Sequence, residues 1–170
     1  METVRRFVVE WLPMGVAIIG VGNILMMDEG VGVRVVEELR RREIPEGVDL
    51  FDAGTAIMDL MSDLRDYDRL IIVDAVQGGS PPGTLYRFRP EDLGKKLKGS
   101  GAMSLHQVSL LDGLELERLA TGRTYDITII GVEPERIEMG LELSAALQAK
   151  LPKIAEVVLG EALGLKARQE

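Results

Sequence analysis

Acidic residues and a single histidine stand where the apolar runs of the sequence end. Asp28 and Glu29 follow the first run, Asp52 ends the second, Asp74 ends the third, and His106 is the only histidine of the chain. Two carboxylates and an imidazole (Glu29, Asp74 and His106) suit a borderline divalent cation such as nickel or zinc. Three ligands also leave coordination positions open, which is typical of a working metal site rather than a structural one. These residue types therefore predict chemistry at a cation.

The stretch that carries Glu29, GVGNILMMDEGVG, resembles the opening of a phosphate-binding turn. Gly20 and Gly22 match the first two glycines of a dinucleotide fingerprint, but Leu25 stands where the third glycine is needed. The carboxylates of Asp28 and Glu29 would also repel a phosphate. The stretch thus favours a cation over a pyrophosphate and leaves a nucleotide-binding enzyme as a weak alternative.

Each of these residues also has an ordinary structural interpretation. Asp28 before a helix is usually an N-cap, and Glu29 in a first turn is favoured by the helix dipole. Asp52 is equally well explained as the organiser of a turn, and a lone histidine at a helix start is usually a surface residue. Asp74, at the end of the apolar run LIIVDA, gains nothing from a core around it. Asp74 therefore carries the strongest individual signal.

Short β-branched runs alternate with longer amphipathic ones along the chain. Strands buried on both faces are predicted over 16–21, 48–52, 70–74 and 127–132, and an edge strand over 85–88. Apolar residues at helical spacing predict helices over 28–42 and from after Thr55 to Leu64. The capping box SLHQ predicts a third helix over 104–120. A last helix is expected over 144–163, where Pro152 kinks the helix or starts a second segment. Alternating strands and helices predict an α/β fold, a three-layer αβα sandwich around a mostly parallel sheet.

In such a sheet the functional site lies outside the carboxyl ends of the strands. By this rule one edge carries Asn23, Asp28, Glu29, Asp52, Asp74 and Glu133, with His106 opening a helix within reach of it. Asp126 falls at the opposite edge. Two glycine-rich stretches, 77–83 and 94–101, are expected to be mobile loops that handle substrate at the rim.

Composition excludes several classes of function. The net charge of −8 disfavours a nucleic-acid partner, and the absence of cysteine removes disulfides, thiol nucleophiles and thiolate metal sites. The sequence contains neither a G-x-S-x-G elbow nor an H-E-x-x-H motif. No apolar stretch is long enough to span a membrane, and the first residues do not form a secretory signal, so we expect a cytoplasmic protein. We expect residues 1–13 to be an extension of a single domain, 14–170.

Six blocks of the chain, in this order and spacing, resemble the [NiFe]-hydrogenase maturation endopeptidases: GVGNILMMDEGVGVRVVEEL, DAGT, LIIVDAV, PGT, HQVSLLDGL and IIGVEPE. The resemblance implies an endopeptidase that removes a C-terminal extension of the hydrogenase large-subunit precursor after nickel insertion. It assigns metal contacts to Glu29, Asp74 and His106. Asp52 matches the acid of the family's D-G-G-T element, with Ala53 where glycine is common. It also implies a sheet of order 2-1-3-5-4 with strand 4 antiparallel.

The resemblance implies that the nickel arrives with the substrate, since a site without thiolates holds the ion only modestly. Catalysis then has two open routes: nickel polarises the scissile carbonyl or activates water, or Asp52 or Asp74 acts as a base. The expected partners are the large-subunit precursor and hydrogenase nickel-insertion factors, with no membrane. The alternative is a non-catalytic nickel-sensing or large-subunit-binding chaperone, which the same acids would serve.

Overall fold

The computed structural model of the chain describes residues 15–92 and 105–164 and has a five-stranded sheet. The strands are β1 (Val16–Val21), β2 (Val48–Gly54), β3 (Arg69–Ala75), β4 (Leu85–Phe88) and β5 (Asp126–Val132). Their order is β2-β1-β3-β5-β4, and only β4 runs antiparallel to its neighbour, β5. The predicted fold class, strand order and edge strand are confirmed. The predicted boundary after residue 13 lies outside the described residues.

Within the described residues three α-helices cover the two faces of this sheet: α1 (Val31–Leu39), α2 (Leu105–Thr121) and α3 (Ala145–Ala162). Successive residues of a buried strand enter opposite cores, because side chains alternate across a sheet. Ile18 and Ile71 pack with α1 and α3, whereas Ile19 and Ile72 pack with α2. The central strands are therefore nearly all apolar, as predicted. β2 differs, because it is the other edge strand and is buried at only two of its seven positions.

Two predicted helices have a different form. The helix expected over 28–42 begins as an α-helix only at Val31, and the acids before it lie in a 3-10 turn, Met27–Gly30. The helix expected after Thr55 is a pair of 3-10 turns, Ile57–Leu60 and Asp63–Asp66. A 3-10 turn rises about 2.0 Å per residue against about 1.5 Å for an α-helix. The connection from β2 to β3 therefore spans a greater length as 3-10 turns than the same number of residues would span as an α-helix.

The other two helices agree better with their predictions. α2 begins at Leu105, as expected, although Ser104 of the predicted capping box lies outside the described residues. α3 is capped by Ser144, whose hydroxyl accepts the Leu147 N–H at 3.4 Å, and it continues through Pro152 as one helix. No helix in the described part of the chain is long and apolar enough to cross a bilayer.

Candidate functional site

Gly22 forms the turn that carries the chain away from β1. Its φ of +129° and the space around it both require glycine, since an added Cβ would lie 1.9 Å from the backbone oxygen of Glu29. The Gly22 N–H donates to the Gly54 oxygen at 2.9 Å, which joins this turn to the end of β2. The glycine therefore lets the backbone of Glu29 lie directly against the carboxyl ends of β1 and β2.

The start of α1 lies equally close to the strands. A Cβ on Gly32 would stand 2.1 Å from the Val73 oxygen, and one on Gly20, inside β1, would stand 2.3 Å from the Gly32 oxygen. Asp74 is the residue after Val73, and the 3-10 turn that contains Glu29 packs against β3. The structure thus brings the turn of Glu29 to the strand end that carries Asp74.

Asp28 is not the N-cap of α1 that its position predicted. Its side chain is fully buried, and its two oxygens accept the backbone N–H groups of Glu135 and Arg136, both at 2.9 Å, and of Ser144 at 2.7 Å. The Asp28 N–H in turn donates to the Arg136 oxygen at 3.2 Å. Asp28 is consequently a clamp that holds the segment after β5 against the turn after β1.

Glu29, the next residue, has the opposite environment. Its side chain is half-buried, and its carboxylate forms no hydrogen bond or ion pair with any residue in the described ranges. The two adjacent acids therefore differ: Asp28 is fully bound by backbone N–H groups, whereas the carboxylate of Glu29 has no partner in the described part of the chain.

Asp74 is fully buried at the end of β3, where its carboxylate accepts the Ala75 N–H at 2.8 Å. Because side chains alternate along β3, Asp74 shares the face of Ile72, which is the face covered by α2. His106 is the second residue of α2, so its backbone lies on this same side of the sheet. The side chain of His106 is not among those described, and the described side chains alone contain no group of three metal ligands.

Asp52 lies on the other face of the sheet. Asp52 of β2 is in register with Gly20 of β1, and Gly20 is in register with Val73 of β3. Residues in register point to the same face of a sheet, and Val73 packs with α1. Asp52 is therefore on the α1 face. β1 separates its strand from β3, a backbone distance of about 10 Å. Asp52 and Asp74 therefore do not form a pair that shares one proton.

The surroundings of Asp52 suit both interpretations of this residue. Its carboxylate accepts the Gly54 N–H at 3.0 Å, which is the turn-forming role suggested by the sequence. The side chain is nevertheless exposed and borders a cavity of about 370 Å³, whose walls are formed by Gly22, Asn23, Ile24, Leu25, Val33, Gly54 and Thr55. The carboxylate is thus accessible to a molecule bound in a largely apolar cavity.

Glu133 has a role that the sequence did not reveal. It is buried at the end of β5, where its carboxylate accepts the N–H groups of Gly78 at 2.7 Å and Gly79 at 3.3 Å and the Tyr86 hydroxyl at 2.5 Å. Burial alone would raise the pKa of Glu133, but these hydrogen bonds outweigh it and hold the pKa below its ordinary value. The loop 77–83 is therefore tied to β5; loop 94–101 lies outside the described residues.

Three backbone N–H groups of the turn after β1 are already bound within the protein. The N–H of Gly22 is bound to Gly54, that of Leu25 to the Asn23 side chain at 3.0 Å, and that of Met26 to the Asn23 oxygen at 3.1 Å. A phosphate-binding turn instead directs several backbone N–H groups at its ligand. This geometry disfavours the nucleotide-binding alternative.

Comparison with known proteins gives a consistent result. The family model described as hydrogenase maturation protease matches residues 33–161. The chain is 38% identical to the hydrogenase 2 maturation protease of Escherichia coli over 148 residues, which are 86% of this chain and 89% of that protein. It is also 38% identical to the hydrogenase expression/formation protein HoxM of Azotobacter vinelandii, over 85% of this chain and 70% of HoxM.

Solved structures agree with the sequence comparisons. The hydrogenase maturating endopeptidase HybD from E. coli superposes with a TM-score of 0.76 at 36% identity, covering 90% of this chain and 94% of HybD. The [NiFe] hydrogenase maturation protease HybD from Thermococcus kodakarensis superposes with a TM-score of 0.75 at 30% identity, covering 88% and 99%. These similarities extend over nearly the whole described fold.

Proposed function

Because the chain belongs to the hydrogenase maturation protease family, we propose that it removes the C-terminal extension of a [NiFe]-hydrogenase large-subunit precursor after nickel has been inserted. The chain is an endopeptidase, as are the relatives that it resembles, and the non-catalytic chaperone is therefore set aside.

The observation that carries this proposal is the carboxylate of Glu29, which has no hydrogen-bond or ion-pair partner within residues 15–92 and 105–164. It is adjacent to Asp28, whose two oxygens accept three backbone N–H groups, and its turn packs against β3, which carries Asp74. With His106 at the start of α2, these residues would offer nickel two carboxylates and one imidazole. An empty precursor brings no cation to these ligands, so cleavage would depend on metal insertion.

Asp52 is the better placed of the two aspartates to act as a base. It is exposed beside a cavity, whereas Asp74 lies on the other face of the sheet, on the side of α2 and His106. In this scheme Asp52 accepts a proton from a water that attacks the scissile carbonyl, and the proton passes to the amide nitrogen that leaves. Asp74 contributes by holding the substrate's nickel, which fixes the tail of the precursor relative to Asp52.

The test is incubation of the purified protease with nickel-loaded precursor and with metal-free precursor, followed by mass spectrometry. We expect only the loaded precursor to lose its C-terminal peptide. Elemental analysis of the protease alone should find no stoichiometric metal, since the proposed ligand set lacks thiolates. Cleavage of both precursors, or one zinc ion per chain that resists a chelator, would contradict recognition of substrate-borne nickel.

A further inference from the structure

A short stretch after β5 presents apolar side chains to solvent beside the candidate site. We call residues 135–142 the docking ridge. Within it Ile137, Met139 and Leu141 are 37%, 89% and 64% exposed. Single exposed apolar residues are ordinary, but several together commonly mark a surface that meets another protein.

The backbone of the docking ridge is fixed to the turn that carries Glu29. Asp28 binds the N–H groups at one end of the ridge, as described above. At the other end the Met27 N–H donates to the Gly140 oxygen and the Gly140 N–H donates to the Leu25 oxygen, both at 3.0 Å. A ridge that is held in place before a partner arrives loses little conformational entropy on binding.

Close packing reinforces this attachment. A Cβ on Gly140 would lie 2.7 Å from the Met27 side chain, and the Arg34 guanidinium donates to the Leu141 oxygen at 2.6 Å. Met27 itself has a φ of +48°, a strained conformation for a residue other than glycine. The turn and the ridge therefore form one unit. In this unit Gly140 of the ridge is hydrogen-bonded to Met27, which is two positions before Glu29.

We propose that the docking ridge is the surface on which the folded body of the precursor rests while its C-terminal tail reaches Glu29 and Asp74. This inference depends on the proposed function and adds the protein–protein contact to it. The argument is continuity: the ridge and Glu29 belong to the same hydrogen-bonded unit. We therefore expect a substrate protein that brings a cation to Glu29 to lie against the ridge as well.

Charge indicates the chemistry of the partner surface. Glu135 and Glu142 are exposed on the ridge and form no ion pair within the described part of the chain, whereas Glu138 pairs with Arg136 at 3.7 Å. The matching surface on the precursor is expected to have an apolar centre flanked by lysine or arginine. A second copy of this chain, with its net charge of −8, is a poorer match because its own ridge is acidic as well.

The test compares two double variants, each of which replaces two exposed apolar residues. Met139→Gln with Leu141→Gln changes the ridge, whereas Leu116→Gln with Leu119→Gln changes the end of α2 remote from His106, where these leucines are 64% and 68% exposed. For the ridge variant we expect KM for nickel-loaded precursor to rise roughly thirtyfold with kcat retained, which is the loss at which a truncated interface residue counts as a hot spot. The α2 variant should keep both constants.

Three results would overturn the docking ridge. One is an unchanged KM in the ridge variant, and another is an equal rise in KM in the α2 variant. The third is a concentration-dependent dimer, seen by sedimentation, that the ridge substitutions dissociate, because the ridge would then be a contact between copies of this chain. Failure of the unaltered protease to cut the loaded precursor would instead reject the proposed function.

Discussion

Acids lie at both ends of the parallel strands, which we call the amino edge and the carboxyl edge of the sheet. The acids at the two edges are stabilised in different ways. At the amino edge arginines pair with Asp126 and Glu161. Asp126 pairs with Arg69 at 3.4 Å and with Arg89 at 2.9 Å, and Glu161 pairs with Arg69 and Arg87, each at 2.8 Å. Three guanidinium groups therefore neutralise these two carboxylates within the molecule.

At the carboxyl edge neutral donors replace the arginines. Asp28 and Glu133 accept backbone N–H groups or a tyrosine hydroxyl, and neither they nor Glu29 and Asp52 form an ion pair with a described lysine or arginine. Amide donors satisfy a carboxylate without cancelling its charge, so this edge keeps a negative potential that attracts cations. The comparison indicates that amino-edge acids serve stability, whereas carboxyl-edge acids also serve recognition.

The largest effect is expected from Glu29→Gln. Glutamine has nearly the size and helix propensity of glutamate, and the side chain loses no described partner, so the melting temperature should change little. Processing of nickel-loaded precursor should fall more than about 100-fold, because even groups behind metal ligands cost 10–100-fold when removed. Both quantities can be measured on one preparation, by thermal unfolding and by mass spectrometry of the precursor.

Asp126→Asn is the matched control at the amino edge. It removes a carboxylate that is about half exposed and bound to arginines, and exposed ion pairs contribute only about 0–1 kcal/mol. Processing should therefore be normal and stability slightly lower. Normal processing by Glu29→Gln would return Glu29 to the role of an ordinary first-turn acid and remove the functional difference between the edges.

Asp28→Asn is expected to have its main effect on stability. The amide places a donor where one carboxylate oxygen accepted hydrogen bonds, so at least one buried N–H group among Glu135, Arg136 and Ser144 loses its acceptor. Each buried group left unsatisfied costs about 1–3 kcal/mol. Urea unfolding should show a loss of this size, and a variant as stable as the unaltered protein would show that Asp28 is not a clamp.

The smallest effect is a change in pH dependence. The folded-state pKa of Glu133 lies below its ordinary value, so its contribution to stability is present above the unfolded-state pKa and is lost as the pH falls through the folded-state pKa. Glu133→Gln should therefore be less stable than the unaltered protein at neutral pH, and the two should converge in acid. Thermal unfolding across the acidic range measures this difference.

Salt distinguishes the two edges in the same experiment. The pKa of Glu161 is also lowered, first by its hydrogen bond with Arg87, and pairing with arginine is screened by salt. Added salt should reduce the effect of Glu161→Gln more than that of Glu133→Gln. Equal salt sensitivity would contradict the assignment of amide-based stabilisation to the carboxyl edge.

The sequence by itself determined the layered fold and the edge at which the acids gather. Buried strands such as β1 and β3 are apolar at nearly every position, and the carboxyl ends of parallel strands meet at one edge. These are local patterns and a general rule of topology. Asp126 was separated from the other acids on the same basis, and the structure has it at the amino edge.

Only the tertiary structure decided what each acid does there. Asp28 and Glu29 are adjacent and chemically alike, yet the contacts that separate them come from residues more than 100 positions away. The face to which Asp52 and Asp74 belong depends on the register between strands, and the role of Glu133 depends on a glycine pair in another loop. Long-range hydrogen bonds and register leave no periodic signal in a single sequence, because they join segments whose spacing along the chain is arbitrary.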